Sequence, residues 1–425
     1  MTEAFVYCKG ILHAENVSLP LIAQQVGTPF YCYSTRYINE QFALYRDAFS
    51  TQRAMIAYAL KANSNQAILT LLANQGAGAD VVSKGELMRA LQAGIPAKRI
   101  VYSGVGKTTE EIDFALSNDI CSFNVESEPE LEHLSARSVA LGKTARISLR
   151  INPDVDAKTH KKIATGKSEN KFGIPIKNAS QTYQHALQLP GLSVQGVDVH
   201  IGSQISELQP FDDAFTIVAD FVRHLRADGI LIEHVDVGGG LGIQYRHDNH
   251  ILPSVEEYAR IVKKHFDPLN VEIILEPGRN IVGNAGILVS SVIYFKKGEG
   301  KNFVIVDAAM NDLIRPTLYD AWQDIMPIKE AVIGVESVVA DIVGPVCETG
   351  DYLGLERSLP LLHSDDLIAI LGAGAYGAVL ANTYNTRRLI PEVLVNDDKF
   401  AVIRERPDYQ SIIDLDHVPD FVYKF

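Results

Sequence analysis

The chain has 425 residues, 47% hydrophobic and 21% charged, and its 39 basic and 52 acidic residues give a formal net charge of -13. This length exceeds the usual size of a single hydrophobic core, so we expect two domains. The acidic balance argues against nucleic acid as the main partner, and the sequence shows neither a signal-peptide pattern nor an apolar run of about 20 residues, so we expect a cytoplasmic protein that does not cross a membrane.

The N-terminal part of the chain carries short strand-like pieces at residues 5–7, 11–14 and 29–33. Their apolar and aromatic residues are typical of strands. We expect these strands to precede the first helix of the chain.

The central part of the chain, from about residue 33 to residue 280, alternates short apolar runs with longer amphipathic stretches. This alternation is typical of parallel βα units. The apolar runs lie at residues 55–60, 79–82, 100–102, 121–125, 147–151, 197–201, 235–237 and 271–275. Eight units are the number that a (β/α)₈ barrel requires, so we predict a TIM barrel at residues 33–280.

The C-terminal part of the chain returns to strands without regular helices. These predicted strands lie at residues 286–295, 303–307, 332–335, 337–343, 367–371 and 401–404. The early strands need partner strands in a sheet, and the eight strands of the barrel already pair with one another. We therefore predict a second, mostly β domain built from residues 1–32 and 281–425, with the barrel inserted between its two parts.

The four cysteines, Cys8, Cys32, Cys121 and Cys347, are far apart and form no Cys-x-x-Cys pair. This spacing suggests neither a structural zinc site nor a disulfide framework. Cys8, Cys32 and Cys121 have apolar neighbours and are expected in the core. Cys347 lies in a polar, turn-rich stretch where a thiol is accessible.

Polar residues follow the predicted barrel strands, at the end where parallel barrels place their active sites. They are Lys61, Asn63, Asp80, Ser83, Ser103, Glu126, Ser127, Arg150, Asn152, His200, Ser203, Asp236, Glu276 and Arg279. A common active-site rim explains all of them together, whereas a set of unrelated loops does not.

Lys61 closes a run of small and apolar residues. Partial desolvation there favours the neutral amine, which can condense with an aldehyde. The alternative is a lysine at the end of a strand that extends its amine into water.

The glycine run at residues 238–240 follows the seventh predicted strand. The loops after strands seven and eight are the usual phosphate site of such barrels, and exposed backbone N–H groups can hold an anion there. The alternative is a tight turn from strand to helix.

Glu276 and His200 are the other two candidates for binding a ring. Glu276 ends an apolar strand where an unpaired carboxylate is costly, so it needs a proton-bearing partner such as a pyridine nitrogen, or else an ion pair with a lysine or arginine. His200 can present its flat face to a ring, or it is a core histidine. His200, Asp198 and Asp236 match no known metal spacing, so we expect no metal.

Nine motifs together resemble those of the fold type III pyridoxal-phosphate-dependent decarboxylases. The matching stretches are YALKAN (residues 58–63), GADVVSKGEL (78–87), RINPDV (150–155), KFGI (171–174), HIGSQI (200–205), DVGGGLG (236–242), EPGR (276–279), CETGD (347–351) and GAGAYG (372–377). They span nearly the whole chain. Two departures are mild: Asn280 follows EPGR where serine is more common, and Arg388-Leu389 replaces the frequent Arg-Pro.

The resemblance implies an alanine-racemase-like barrel whose cofactor, pyridoxal 5'-phosphate, is bound covalently by Lys61. It implies that His200 stacks on the ring and that Glu276 pairs with the ring nitrogen. The remaining residues implied at the cofactor, its phosphate or the adjoining substrate site are Asp80, Ser203, Gly239, Gly240, Gly278, Arg279 and Tyr376. The resemblance also implies that Arg279, Arg315 and Tyr319 hold the far carboxylate of the substrate.

The resemblance further implies a homodimer in which Cys347 and Glu348 come from the second subunit. The reaction implied is decarboxylation of meso-2,6-diaminopimelate to L-lysine, with either Cys347 or Lys61 protonating the carbon that lost CO₂. The alternatives are a related decarboxylase for ornithine, arginine or carboxynorspermidine, and a non-catalytic regulator of the same fold.

Overall fold

The computed structural model describes residues 4–163, 165–166, 170–248, 251–332, 334 and 337–423. The chain divides into two compact units. The sheet unit consists of Met1–Tyr37, Tyr245–His247 and Gly283–Phe425. The barrel unit consists of Ile38–Gln244 and Asp248–Val282.

The strands of the described residues are numbered in chain order: β1 Phe5–Cys8, β2 Ile11–Ala14, β3 Val17–Ser18, β4 Phe30–Ser34, β5 Ala54–Ala59, β6 Gly78–Val81, β7 Ile100–Tyr102, β8 Ser122–Val125, β9 Ala145–Asn152, β10 Ile174–Pro175, β11 Leu192–Asp198, β12 His234–Asp236, β13 Glu272–Leu275, β14 Gly286–Lys297, β15 Asn302–Val306, β16 Ile325–Pro327, β17 Ser337–Val343, β18 Tyr352–Pro360, β19 Leu367–Ile370, β20 Glu392–Asn396 and β21 Lys399–Arg404.

The α-helices of the same residues are α1 Leu19–Val26, α2 Thr35–Ala48, α3 Gln66–Ala73, α4 Lys84–Gln92, α5 Thr109–Asn118, α6 Glu128–Leu141, α7 Ile176–Gln188, α8 Gln209–Ala227, α9 Val255–Phe266, α10 Arg279–Val282, α11 Arg315–Tyr319 and α12 Tyr409–Ile413. None of these helices has both the length and the apolar content that crossing a bilayer requires.

The barrel unit is a closed ring of eight parallel strands, β5 to β9 and β11 to β13. The ring closes where β13 pairs with β5, with Leu275 opposite Ile56. The short β10 adds to β9 outside the ring. Each of the eight predicted strands overlaps one strand of the ring, so the predicted barrel is confirmed. Residues of β6, β7 and β8 are buried throughout, as expected for parallel strands covered on both faces.

Side chains in the loops cap the N-terminal ends of several barrel helices. The Ser83 side chain accepts a hydrogen bond from the Glu86 N–H at the start of α4. Capping boxes start α5, with Thr108 and Glu111, and α9, with Ser254 and Glu257. These caps fix the residues at which the three helices begin.

The sheet unit contains a large sheet in which strands from both ends of the chain are neighbours. Its order is β18-β17-β15-β14-β4-β20-β21, and β19 pairs with both β14 and β16. Strand β4 is antiparallel to β14 and parallel to β20, which confirms that the N-terminal part of the chain joins the C-terminal sheet. Strands β1 to β3 form a small sheet of their own, linked to the rest by a 2.8 Å hydrogen bond from Leu12 N to Ile328 O.

Several details of the sheet unit differ from the sequence expectations. Helix α1 precedes β4, so the expectation that the early strands come before any helix is wrong; Pro20 at the first turn favours a helix start. Strands β3, β16, β18 and β20 were not predicted. The predicted strand at residues 332–335 lies partly outside the described residues.

The cysteine expectations are only partly met. Cys8 is exposed because it ends β1 at a turn, so its expected place in the core is wrong, while Cys121 is half-buried and Cys32 is buried. Cys347 is exposed, as expected.

Candidate active site

Lys61 lies at the rim of the barrel, on a single 3₁₀ turn, Leu60–Ala62, that directly follows β5. Its Nζ is 2.7 Å from Oδ2 of Asp80, which lies on the adjacent strand β6 and is fully buried. The Lys61 side chain is 34% exposed. A buried carboxylate therefore holds the amine at the rim, in a position that a small molecule can reach.

Three carboxyl groups, Asp198, Asp236 and Glu276, are buried together at the same end of the barrel. One oxygen atom from each lies within 4.8 Å of the others. Burial raises the pKa of Glu276 well above its usual value, and the charges of Asp236 and Asp80 raise it further. Burial also raises the pKa of Asp198 well above normal, and that of Asp236 to about 7. Carboxylates this close cannot all be ionised, so this cluster holds protons at neutral pH.

Two neutral side chains donate hydrogen bonds into this acidic cluster. Ser103 Oγ donates to Glu276 Oε1 at 3.3 Å. Asn124 Nδ2 donates to Asp236 Oδ2 at 3.2 Å and also to Ser103 Oγ at 3.2 Å. Asn124 was not among the predicted site residues; a carboxamide between Phe123 and Val125 in an apolar strand was the signal available for it.

His200 is a neutral imidazole in this site. Its Nδ1 accepts a hydrogen bond from the Gly239 N–H at 3.2 Å. Desolvation lowers the pKa of His200 well below its usual value, and the positive charges of Arg150 and Lys61 lower it further. The ring therefore carries its proton on Nε2 and offers an uncharged flat face.

Close backbone contacts leave no room for a side chain at three glycines in the loops after β12 and β13. A Cβ atom on Gly239 would overlap with the Glu276 carbonyl oxygen, and one on Gly240, at φ +110°, would overlap with the Gly202 carbonyl oxygen. A Cβ atom on Gly278 would lie 2.9 Å from that of Ala62. Such a loop presents backbone N–H groups rather than side chains, which suits an anion.

Arg279 adds a positive charge beside these loops. It is 7% exposed, and its Nη2 donates to Ser203 Oγ at 2.9 Å. The guanidinium and the hydroxyl are both donors that a phosphate or carboxylate can use.

The structure places nine of the predicted site residues in the barrel unit, in the loops or strand ends described above: Lys61, Asp80, His200, Ser203, Gly239, Gly240, Glu276, Gly278 and Arg279. Arg315, Tyr319, Cys347, Glu348 and Tyr376 belong to the sheet unit. There, Arg315 is buried, with its guanidinium carbon 4.3 Å from the centre of the Tyr245 ring, whereas Cys347 and Glu348 are exposed.

The three clustered carboxylates also have the oxygen ligands that a hard cation prefers. Shared protons relieve the same repulsion without an ion. The expectation that the site binds no metal therefore stays a prediction.

The acidic cluster predicts a pH-dependent stability of the cofactor-free protein. A carboxyl group whose pKa is raised in the folded state stabilises the folded protein at low pH. This stabilisation is complete below the unfolded-state pKa of about 4 and is lost as the pH rises through the folded-state pKa. For Asp236 that value is about 7. The free energy of unfolding, from urea denaturation, should therefore fall less steeply between about pH 4 and pH 8 in Asp236→Asn than in wild type. Equal slopes would contradict the raised pKa, and Asp220→Asn, an exposed change, serves as control.

The chain matches known proteins along nearly its whole length. Residues 35–283 match the family described as pyridoxal-dependent decarboxylase, pyridoxal binding domain. The diaminopimelate decarboxylase of Zymomonas mobilis is 48% identical over 96% of both chains.

Two solved structures are similar to the chain as well. The diaminopimelate decarboxylase of Helicobacter pylori complexed with L-lysine has a TM-score of 0.89 and 43% identity, covering 93% of this chain and 98% of that one. The enzyme of M. jannaschii in co-complex with L-lysine has a TM-score of 0.93 and 37% identity, covering 98% of both chains.

Proposed function

The chain belongs to the pyridoxal-dependent decarboxylases, and from this membership we propose that it converts meso-2,6-diaminopimelate to L-lysine and CO₂. It is a carboxy-lyase with pyridoxal 5'-phosphate as cofactor. The observation that carries the proposal is the Lys61 amine held at the barrel rim by the buried Asp80.

The residues of the barrel unit fit this cofactor. The Lys61 amine would bind its aldehyde, and Glu276 would bind its ring nitrogen because a buried carboxyl group can share a proton with that nitrogen. The side-chain-free loops at Gly239, Gly240 and Gly278, with Ser203 and Arg279, would bind its phosphate. When bound, the cofactor supplies an electron-withdrawing ring that accepts the electron pair left behind by CO₂.

The chain's own groups then have distinct tasks. Asp80 accepts a hydrogen bond from Lys61 Nζ and fixes the direction of the amine. Burial raises the pKa of Glu276, so this carboxyl group would share a proton with the ring nitrogen. Burial lowers the pKa of His200, so its imidazole would cover a ring face without adding a positive charge that would compete with this proton.

We propose that Arg279, Arg315 and Tyr319 bind the far carboxylate of the substrate, with Tyr376 nearby, and that Glu348 lies near its far amino group. A guanidinium binds a carboxylate through two parallel hydrogen bonds and keeps its charge. The stacking of Arg315 on Tyr245 restricts its orientation and supports this role. A substrate without a second carboxylate, such as ornithine, leaves these arginines without an anion.

We propose a homodimer in which each active site receives Cys347 and Glu348 from the partner subunit. The exposure of both residues supports this arrangement, since a second chain can reach them. We also propose a cytoplasmic location, supported by four cysteines that are all free, as is usual in a reducing compartment. We propose residues 33–280 as the barrel domain and residues 1–32 with 281–425 as the β domain.

The substrate proposal predicts that purified protein with added pyridoxal phosphate releases CO₂ from meso-diaminopimelate. Ornithine and arginine should be turned over at least about 100-fold less efficiently, because they leave buried charges unpaired. The measurement is CO₂ release from each of the three amino acids, with and without added cofactor. Turnover of ornithine in preference to meso-diaminopimelate would exclude the proposed substrate, and a loaded protein inactive on every amino acid would favour a regulator.

A further inference from the structure

Asn124 has a place in the acidic cluster that the reaction described above does not use. It lies in β8, and its side chain is fully buried. Its Nδ2 is 3.2 Å from Ser103 Oγ, 3.2 Å from Asp236 Oδ2 and 3.5 Å from Glu276 Oε1. Ser103 follows β7, Asp236 ends β12 and Glu276 follows β13. Since Asn124 itself lies on β8, one carboxamide links four strands of the ring.

The backbone at Asn124 is fixed as well. Its carbonyl oxygen accepts a 2.8 Å hydrogen bond from Nζ of Lys107, a buried lysine. The same ammonium group binds the Gly104 carbonyl at 2.8 Å and the Glu130 carboxylate at 2.7 Å. The carboxamide therefore projects into the cluster from a backbone position that a buried ion pair holds.

Charged groups surround Asn124 from several strands. The acids that face the cluster are Asp80, Asp198, Asp236 and Glu276, and the cations are Lys61 and Arg150. Lys61 pairs with Asp80 at 2.7 Å, and Arg150 pairs with Glu126 at 2.9 Å and lies 3.9 Å from Asp198. Ser103 and Asn124 are neutral side chains whose donors contact the Glu276 carboxyl group, at 3.3 Å and 3.5 Å.

An amide nitrogen only donates hydrogen bonds, so it binds the lone pairs of a carboxylate oxygen and not the O–H of a protonated acid. Nδ2 has two hydrogens for three acceptors at 3.2 to 3.5 Å. It therefore draws Asp236 Oδ2 and Glu276 Oε1 toward the same amide group, and an O–H on either oxygen must point away from Nδ2.

We propose that Asn124 is a positioning residue: its carboxamide holds Glu276 in the orientation that presents the carboxyl group to the ring nitrogen of the cofactor, while binding the competing acid Asp236. This inference rests on the proposed function for its cofactor and not for its substrate. In this role Asn124 determines that Glu276, and not Asp236, faces the ring nitrogen.

The test compares Asn124→Leu with wild type, both loaded with pyridoxal phosphate. Leucine keeps the volume and removes the donor. We expect the cofactor to stay bound, kcat for meso-diaminopimelate to fall about tenfold or more, and KM to stay within about threefold, because the lost hydrogen bond acts on the reacting state and not on substrate binding. The pH profile of kcat and the pH midpoint of the visible absorbance band should both shift from those of wild type.

Asn124→Asp is the isosteric second variant. It adds another acid to the cluster, so we expect it to be more harmful than Asn124→Leu near pH 8, and the difference to diminish toward about pH 6, where an added carboxyl group is protonated in such surroundings. A purely structural role would not reverse with pH in this way. This variant also decides the matter if Asn124→Leu does not fold.

Ser122→Ala is the matched control. Ser122 lies two residues earlier in β8, is fully buried, and its Oγ lies 3.2 Å from Ser148 Oγ, outside the acidic cluster. We expect it to leave kcat and both pH profiles unchanged. Wild-type kcat and pH profiles in both Asn124 variants would overturn the inference. The absorbance titration needs no substrate, so a shifted midpoint in a protein inactive on meso-diaminopimelate would refute the substrate proposal and leave the role of Asn124 standing.

Discussion

The Lys61→Ala variant is expected to lose turnover by roughly four orders of magnitude and to show no visible absorbance from bound cofactor, because no other amine replaces the covalent attachment and its fixed geometry. Lys61 Nζ lies 2.7 Å from the buried Asp80, so the substitution also leaves that carboxylate without its cation. The measurements are CO₂ release from meso-diaminopimelate and the absorbance spectrum of protein dialysed against pyridoxal phosphate.

A matched lysine is available as a control for this experiment. The Lys84 side chain is 34% exposed, as is that of Lys61, but it pairs with Glu110 on the surface. Lys84→Ala should keep both the absorbance and the activity. A Lys61→Ala protein that retained the visible band, or turned over substrate at more than a few per cent of the wild-type rate, would disprove the assignment.

The Cys347→Ala variant is expected to lose about 100-fold or more in kcat while keeping its cofactor spectrum, because a thiol that protonates the reacting carbon acts after the cofactor is bound. Cys347 is exposed and lies in a turn before Glu348, where a neighbouring chain can approach it. Cys8 is also exposed, so Cys8→Ala is the control for the loss of an accessible thiol. An increase in KM with kcat unchanged, or a loss of bound cofactor, would argue for a different role.

Mixing the two inactive variants tests the shared site. In a two-fold symmetric dimer, one site of each mixed dimer would have both Lys61 and Cys347 intact, so random mixing of Lys61→Ala and Cys347→Ala should restore about a quarter of the wild-type activity. Subunit exchange requires mild denaturation or co-expression, and mass measurement shows whether mixed dimers form. If mixed dimers form but no activity returns, each site uses Lys61 and Cys347 of the same subunit.

The sequence predicted the barrel because its strands are buried on both faces and therefore appear as continuous apolar runs. Strand β18 escaped detection because it contains Glu356 and Arg357 within a partly exposed run. Helix α1 was not predicted because its eight residues are too few to show a clear helical period. In both cases, neighbours distant in sequence decide the structure.

The candidate site was predictable residue by residue but not contact by contact. Lys61, His200 and Glu276 stand at strand ends, where the barrel pattern directs attention. Asn124 stands inside a strand, and its neighbours Asp236 and Glu276 lie far along the chain, so its place in an apolar run could mark it as unusual but could not show what it contacts. The raised pKa values likewise arise from burial and from the charges of acids that lie far apart in the sequence.

The pairing of β13 with β5 has a consequence for biosynthesis. Lys61 follows the first strand of the ring and Glu276 follows the last, and these strands meet with Leu275 opposite Ile56. During translation Lys61 is made early, but Glu276 arrives only when the final barrel strand has left the ribosome and docked. Binding of pyridoxal phosphate through both groups, as proposed above, would therefore favour chains that have closed the ring, and its binding energy would add to the stability of the closed state.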